Sequence, residues 1–469
     1  MKRKLLIKKS MARLDRLTFW ASSPVAAILL PMAYVGSLFV MGIVLPVYPI
    51  PSDSLVYLFG GLAAMAVLAR IGISAGQRTV GGKVAASVLK PGPSSRPRLA
   101  DVRLVYGLAA LGIGFLLMDL IASTPFEAFF DPAALRTLLR FRKATLFAYP
   151  GNILYPFCSV ALGLAILHYE RMTFFYRLTG VLLGFFPTIA LTIGQAGRNG
   201  IVFQIILVSW WLLQRPAWGL PIIPHRIIVR IIFLAFIAVS LYSLVTIAVM
   251  RSSSSNQYQS LLSTNAESVR LSDHVKDVLD RVDPTVANGL AEALMYWSSP
   301  VVYFGHIYQD WTAESTLVSV FSPVLHRRLA SLGVVPSPEQ ISNLWASILD
   351  RVGLWPNAWG TVWYEMIVSF GRFGATMIAL GIAFFSGIVF ARSRRRGDFG
   401  HLYLSSIFFV FFFLWFQVSV FSEPLFEWGL FLAIFGRRLL HRFDREDNLS
   451  LMTSHRENQA QKALNPTVA

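Results

Sequence analysis

Apolar runs of roughly 20 residues recur along the chain, separated by short polar connectors. A helix of that length crosses the ~30 Å hydrocarbon core of a bilayer. The pattern predicts ten membrane-spanning helices, at residues 24–46, 54–73, 104–123, 146–168, 178–194, 199–214, 227–249, 366–391, 402–420 and 424–437. We therefore expect an all-α, polytopic integral membrane protein.

The longest polar connector, residues 250–365, carries helix signals of its own. Ser337 and Gln340 have the spacing of a capping box, and Asp283 is an N-cap followed by proline at the first helical position. The helix that Asp283 opens places four apolar residues on one stripe: Val286, Leu290, Leu294 and Trp297. Residues 272–282 predict another amphipathic helix, with Val275, Val278, Leu279 and Val282 on its apolar face. We expect these helices to pack over one mouth of the bundle or to lie in the membrane interface.

The charge distribution sets the expected orientation. Of the 469 residues, 55% are hydrophobic and only 14% charged, with a net charge of +17. Lysine and arginine gather in short segments at residues 2–9, 70–103, 392–396 and 437–442, as the positive-inside rule predicts for cytoplasmic connectors. Positive charge placed beside apolar spans argues against nucleic-acid binding, which needs a basic face or groove. The single cysteine, Cys158, lies in an apolar run, which excludes a disulfide framework.

The alternation of basic and non-basic connectors predicts five regions. They are a cytoplasmic N-terminus (1–23), a first group of spans (24–249), a large outer helical loop (250–365), the last spans (366–437) and a cytoplasmic tail (438–469). On the outer side this places residues 124–145, the turn at 194–199, the large loop and the short turn at 421–424.

Several arginines fall on that outer side, where the insertion rule does not favour them. Arg198 lies in a turn bracketed by Gly194, Gly197 and Gly200, and Arg251 follows the seventh predicted span directly. A further basic cluster contains Arg136, Arg140, Arg142 and Lys143. A planar guanidinium beside a helix N-terminus suits a phosphate or diphosphate. The alternative is that these arginines anchor helix ends among lipid headgroups.

A second unusual stretch runs from Trp355 to Gly381. Asn357, Trp359 and Glu365 precede a glycine-spaced span there, among aromatic residues that either form an interfacial belt or stack on sugar rings. Glu365 is a candidate general base, or a carboxylate that is solvated or paired with an arginine. His306 is the other candidate proton carrier in the large loop, with His274 and His326 less favoured by their surroundings. None of the histidines has metal-ligand spacing, and we expect no metal and no cofactor.

Together these stretches resemble the Wzy-type oligosaccharide repeat-unit polymerases (O-antigen polymerases). The resemblance rests on "GQAGRNG" at residues 194–200, and on Asn357, Tyr364, Glu365, Phe370, Gly371 and Gly374. Asn199 departs from the small residue that usually follows the family's arginine.

The resemblance implies a GT-C-type membrane glycosyltransferase in a bacterial inner (cytoplasmic) membrane. It would join undecaprenyl-diphosphate-linked oligosaccharides on the periplasmic face. On this hypothesis Arg198, Arg251 and Arg140 bind the diphosphate, and Glu365 or His306 acts on the acceptor. Asn357 and Trp359 contact sugar. Membrane lipids and a chain-length regulator protein are the other expected partners.

Three alternatives stay open. An O-antigen ligase would use the same donor and deliver glycan to lipid A core, so its loss would leave polymer on the lipid carrier. A transporter of lipid-linked sugar would show inverted repeats and ionisable residues near mid-membrane, whereas here no repeat is found, charges in the spans are few and the polar residues gather in one outer loop. A non-catalytic scaffold would leave polymer normal in an Arg198→Ala variant.

Overall fold

The computed structural model describes residues 15–81, 99–125, 145–195, 199–218, 220–223, 268–311, 326, 329–351, 354, 361–396, 399–416 and 424–440. Over these residues the backbone is almost entirely helical, with one two-stranded antiparallel sheet. The all-α prediction is confirmed.

The elements follow one another in a simple order. Before residue 219 they are α1 (Asp15–Ala21), α2 (Pro24–Val40), β1 (Val44–Pro46), α3 (Ser52–Gly81), α4 (Leu99–Ser123), α5 (Ala148–Leu154), α6 (Pro156–Leu167), α7 (Phe174–Gln195), α8 (Asn199–Gln214) and a 3₁₀ turn (Arg215–Trp218). After it come β2 (Val269–Leu271), α9 (Asp273–Leu279), α10 (Pro284–Asp310), α11 (Pro338–Arg351), α12 (Val362–Arg396), α13 (Phe399–Phe413), α14 (Pro424–Phe435) and α15 (Arg437–Leu440).

Four of the described segments are long and apolar enough to cross a membrane: Ser52–Arg78, Leu99–Ser123, Ala148–Leu167 and Val362–Arg394. α1 and α2 add a fifth if they are taken as one span bent by 65°. Helices also occupy the predicted spans at 178–194, 199–214, 402–420 and 424–437, but their described apolar parts are shorter. The predicted span at 227–249 lies outside the described residues. A polytopic apolar bundle is therefore present, while the count of ten spans stays a prediction.

The first predicted span, 24–46, is wrong at its end. α2 begins as expected, because the Ser23 side chain accepts a hydrogen bond from the backbone N–H of Ala26 and proline follows at the first helical position. It stops at Val40, and Gly42 then turns the chain with φ 64°. Residues 44–46 form β1, which pairs with a strand more than 200 residues later and is therefore not foreshadowed by local pattern.

α3 and α12 pack side by side and run in the same direction. A Cβ placed on Gly72 would lie only 2.1 Å from the carbonyl oxygen of Phe384 and 3.3 Å from the Cα of Gly387, so the two backbones touch. Small residues permit this close approach between membrane helices. Tyr57 near the start of α3 bonds to Thr376 in the first half of α12, so both helices begin at the same end of the bundle.

That end, termed here the capped end, is covered by the segment from Ser268 to Arg351. β2 pairs antiparallel with β1, with Val44 opposite Leu271 and Leu45 opposite Arg270. α10 contacts α2, α3 and α12, and α11 packs on α10. The helices predicted within the large loop therefore dock onto one mouth of the bundle.

The local signals in this segment behave as expected. The Gln340 N–H donates to Ser337 Oγ at 3.1 Å and the Ser337 N–H donates to Gln340 Oε1 at 2.7 Å, which is a complete capping box. The Val286 N–H donates to Asp283 Oδ1 at 3.3 Å. α9 is shorter than predicted, and its apolar face is divided. Val275 and Leu279 pack against the core, whereas Val278 and Val282 are exposed.

The opposite end of the bundle is held by two buried arginines. Arg215 is fully buried, pairs with Glu170 and donates to two backbone carbonyls, one at the end of α6 and one after the 3₁₀ turn. Arg394 donates to Gln214 Oε1 at 3.3 Å and pairs with Asp15 at 3.5 Å. These contacts bring together the start of α1 and the ends of α6, α8 and α12.

Candidate functional site

The capped end gathers the described candidate residues, and its floor is the first part of α12. Gly371 has φ 68° and ψ 173°, a conformation that breaks the helix and that only glycine adopts readily. Residues 362–370 therefore form a short helical segment of their own. It is deeply packed, with Trp363 and Met366 fully buried, and it carries Glu365, which is half-buried.

Beside Glu365, three aromatic rings form a compact group that we name the aromatic clamp: Trp311, Trp345 and Tyr364. The ring of Tyr364 stacks on Trp345 with centroids 5.5 Å apart and an interplanar angle of 27°. Trp311 meets the same ring edge-on at 5.9 Å. Trp345 lies on α11, and Trp311 is the residue after α10. Two cap helices therefore hold Tyr364, the residue before Glu365.

Two indole N–H groups of the clamp are free to donate a hydrogen bond to a ligand. Nε1 of Trp311 and Nε1 of Trp345 are buried and have no hydrogen-bond partner among the described residues, although buried polar groups usually have one. Among the described residues, Thr361 Oγ1 and Trp363 Nε1 share this property at the start of α12. The clamp thus offers ring faces together with donors that suit acceptor oxygens.

Arg372 ties the cap to the bundle. Its guanidinium donates to the carbonyl oxygens of Tyr308 and Gln309 at the C-terminal end of α10, and it lies 4.3 Å from the centroid of the Tyr308 ring. A cation at a helix C-terminus is favourable because the unpaired carbonyls there carry partial negative charge. Arg372 therefore fixes where α10 ends relative to the broken helix α12.

His306 lies on the other side of α10. Its ring is buried and stands 6.4 Å from the ring of Tyr48, and within the described part of the chain Nε2 has no hydrogen-bond partner. Burial lowers the pKa of His306 below 6.5, against the opposing effect of the Asp310 carboxylate. The imidazole is therefore neutral near pH 7, the state in which it accepts a proton.

Helix geometry separates the two proton-carrier candidates. Phe304 and Tyr308 face Tyr57 of α3, on the side of α10 that meets α12. His306 follows Phe304 by two residues, which is about 200° around the axis at 100° per residue. It therefore faces the connector between β1 and α3, whereas Glu365 sits on α12. The described ring contact of His306 is therefore with Tyr48 of that connector.

All of the residues predicted to bind the diphosphate or sugar lie outside the described residues: Arg140, Arg198, Arg251, Asn357 and Trp359. The ends of the described segments locate their attachment points. α7 ends at Gln195 and α8 begins at Asn199, one on each side of the stretch predicted as a turn. The stretch that contains Asn357 leads into α12. At the start of α12 the Val362 N–H donates to the Trp415 carbonyl at 3.0 Å, so this hydrogen bond anchors the helix that forms the floor of the site.

Asp119 was missed by the sequence analysis. It is fully buried near the end of α4, where its Oδ1 accepts from the backbone N–H of Thr145 at 2.9 Å and from Thr145 Oγ1 at 2.7 Å. Thr145 follows the predicted basic cluster at 136–143 directly. An acidic residue within an apolar span is a recognisable signal of a functional or structural role, and it was available in "LLMDLIAS".

Within the residues the structure describes, no group of three or more histidine, cysteine, aspartate or glutamate side chains could hold a metal ion. The chain matches no family model, no curated protein and no solved structure. The chemical assignment therefore rests on the arrangement itself: a half-buried carboxylate, an aromatic clamp beside it, and a neutral buried imidazole one helix away.

Proposed function

We propose that the chain is a membrane glycosyltransferase that polymerises undecaprenyl-diphosphate-linked oligosaccharide repeat units at its capped end, on the periplasmic face of a bacterial inner membrane. The observation that supports this most directly is the aromatic clamp next to Glu365. Aromatic ring faces pack against the apolar C–H faces of sugars. Buried indole N–H groups lose free energy unless an acceptor reaches them, and sugar oxygens are such acceptors.

In the proposed reaction, an acceptor sugar hydroxyl attacks the anomeric carbon of the donor. The bond between that carbon and the diphosphate oxygen breaks, and the electron pair leaves with undecaprenyl diphosphate. Glu365 or His306 takes the hydroxyl proton, a role that general bases fill in glycosyl transfer. Arg198, Arg251 and Arg140 stabilise the charge that develops on the leaving diphosphate.

Two features favour Glu365 as the group nearest to the acceptor. It adjoins the clamp, whereas His306 faces Tyr48 across α10. It also lies on the segment before the break at Gly371, whose Trp363 and Met366 are fully buried, so the carboxylate is carried by a firmly packed part of α12. On this proposal His306 acts as a base only if the acceptor reaches the connector between β1 and α3.

Reconstitution tests the proposal. The purified protein is placed in liposomes with a purified lipid-linked repeat unit, and product length is followed on a gel. We expect a ladder of lengthening products from the wild type, and only single repeats from Arg198→Ala and Arg251→Ala variants that insert normally. A ladder of normal length from both variants would overturn the diphosphate site. Transfer only after addition of lipid A core would identify a ligase instead.

A further inference from the structure

An apolar stripe on α10 is only partly covered by protein. Val286, Leu290 and Trp297 lie within about 40° of one another around the helix axis, at 100° per residue. Trp297 packs against the core, but Val286 is 45% exposed and Leu290 48% exposed. The stripe therefore begins inside the protein and continues, toward the N-terminus of α10, beyond its edge.

Trp297 marks the place where the stripe leaves the protein. Its ring meets the ring of Tyr34 on α2 edge-on, with centroids 5.8 Å apart. Tyr34 is 41% exposed, and Leu29 and Leu30, about one turn earlier on the same helix, are exposed as well. α2 belongs to a segment able to span the membrane, so this outward flank of α2 faces lipid. Trp297 thus sits against the side of α2 rather than above its end.

The depth of this contact matches the membrane interface. Tyr34 precedes Val40, the last residue of α2, by six residues, which is about 9 Å along the axis at 1.5 Å per residue. Amphipathic helices that lie in the interface bury their apolar side about 5–10 Å into the boundary between headgroups and acyl chains. Tryptophan and tyrosine concentrate at that level.

The charge of α10 indicates which interaction would hold the helix in the membrane interface. Pro284–Asp310 contains no lysine and no arginine, so attraction to anionic headgroups cannot contribute. Asp310 ends α10, and the other aspartates of this region precede the helix at positions 273, 277, 280 and 283, where Lys276 and Arg281 offset part of their charge. Apolar contact with acyl chains is the remaining source of binding.

We infer that the N-terminal half of α10 lies in the membrane interface at the capped end, with Val286 and Leu290 against lipid. The lipid surface is continuous with the exposed flank of α2 that Trp297 already touches. The cap is then fixed to the membrane as well as to the bundle, which holds its aromatic clamp close to headgroup level. This inference requires only that the chain spans a membrane, so it stands apart from the proposed chemistry.

Spin labels test the inference directly. In a Cys158→Ser background, which removes the single buried cysteine, Val286→Cys and Leu290→Cys are labelled with a nitroxide. Asn343→Cys on α11, exposed and polar, is the matched control. The full-length protein is placed in nanodiscs of phosphatidylethanolamine with or without phosphatidylglycerol. Collision with oxygen, which concentrates in lipid, is compared with collision with a water-soluble nickel complex.

We expect labels at 286 and 290 to collide more with oxygen than with nickel, and the label at 343 to show the reverse. The values at 286 and 290 should not change when phosphatidylglycerol is added, because α10 carries no positive charge. High nickel accessibility at both positions would overturn the inference in favour of a water-exposed helix. Immobilised spectra with low collision rates for both reagents would also overturn it, and would indicate protein contact, from a second copy or from the rest of the chain.

Discussion

At the scale of single residues, His306 is the side chain whose chemistry the structure changes most. The sequence shows only a histidine among aromatic residues. Burial lowers its pKa against the opposing effect of the Asp310 carboxylate, and the described part of the chain gives its Nε2 no hydrogen-bond partner. The lowered pKa gives a clear expectation for pH dependence.

If His306 is the proton acceptor, activity should persist as pH falls through 6.5 and decline only below the lowered pKa, because protonation removes the basic form. The measurement is kcat/KM for polymerisation against pH in liposomes. His306→Gln should lower the rate by about 10²–10⁴. His274→Gln, an exposed histidine on α9, should leave it unchanged. An acid limb that survives in His306→Gln would assign the proton transfer to another group, with Glu365 the first candidate.

At the residue scale, then, the sequence named candidate groups but not how they are placed relative to one another. Glu365 and His306 were both recognised as proton carriers, yet their separation across α10 follows from the angular position of each residue on a helix and from what that helix packs against. The clamp shows the same limit. Tyr364 was noted for its place beside Glu365, whereas Trp345 and Trp311 reach it through the docking of α10 and α11, which local pattern does not encode.

At the scale of elements, the break in α12 is the feature with the most direct consequence. Gly371 and Gly381 both lie on α12, and a Cβ at either position would meet nothing within 4 Å. Only Gly371 has a positive φ. The two glycines therefore differ in backbone strain alone.

Gly371→Ala should lower the free energy of unfolding by about 1–3 kcal/mol, because alanine disfavours this conformation. Gly381→Ala should be neutral or stabilising by up to about 1 kcal/mol, because glycine inside a helix is unfavourable. Thermal unfolding in detergent, followed by helical signal, compares the two variants. Equal melting temperatures would show that α12 does not keep the break at Gly371 in solution.

Helix starts were predictable where the signal is local. The capping box at Ser337 and Gln340 and the cap at Asp283 act within one turn, so their residues carry the whole instruction. The break at Gly371 was not predictable. Gly374, three residues later, is also a glycine and stays helical, so the choice between them depends on tertiary contacts such as Arg372 with the end of α10.

At the scale of the whole molecule, docking of the cap depends on a very small sheet. β1 and β2 are three residues each, and Leu45 stands opposite Arg270 with neither side chain fully buried. Directly opposite residues in antiparallel strands have Cβ atoms about 4.5–5.5 Å apart. This pair therefore reports on whether the cap is seated.

A short bifunctional thiol reagent should cross-link Leu45→Cys with Arg270→Cys efficiently in a Cys158→Ser background in native membranes. Leu45→Cys with Asp277→Cys is the matched control, because Asp277 lies on α9 and not opposite Leu45. The two cysteines are far apart in sequence, so a protease can cut the chain once between them. A denaturing gel then shows whether the cross-link keeps the two fragments together. Equal cross-linking in both pairs would mean that the cap is not held by this pairing.

The fold class and the membrane location of the bundle followed from hydrophobic runs of sufficient length, because burial in lipid requires little beyond length and composition. The arrangement of those helices did not follow. The side-by-side contact of α3 with α12 depends on Gly72 and Gly387, which are separated by most of the chain, and many other glycines in apolar runs make no such contact.

That contact has a consequence for synthesis. The glycine-bearing face of α3 is complete when Gly81 has been added, but its partner begins only at Val362, which is 362 − 81 = 281 positions later. At about 5–20 residues per second, the ribosome needs roughly 15–55 s to supply it. During that interval the glycine-bearing face of α3 has no α12 to pack against. A factor that shields exposed helix faces during insertion would act on this chain chiefly in that window.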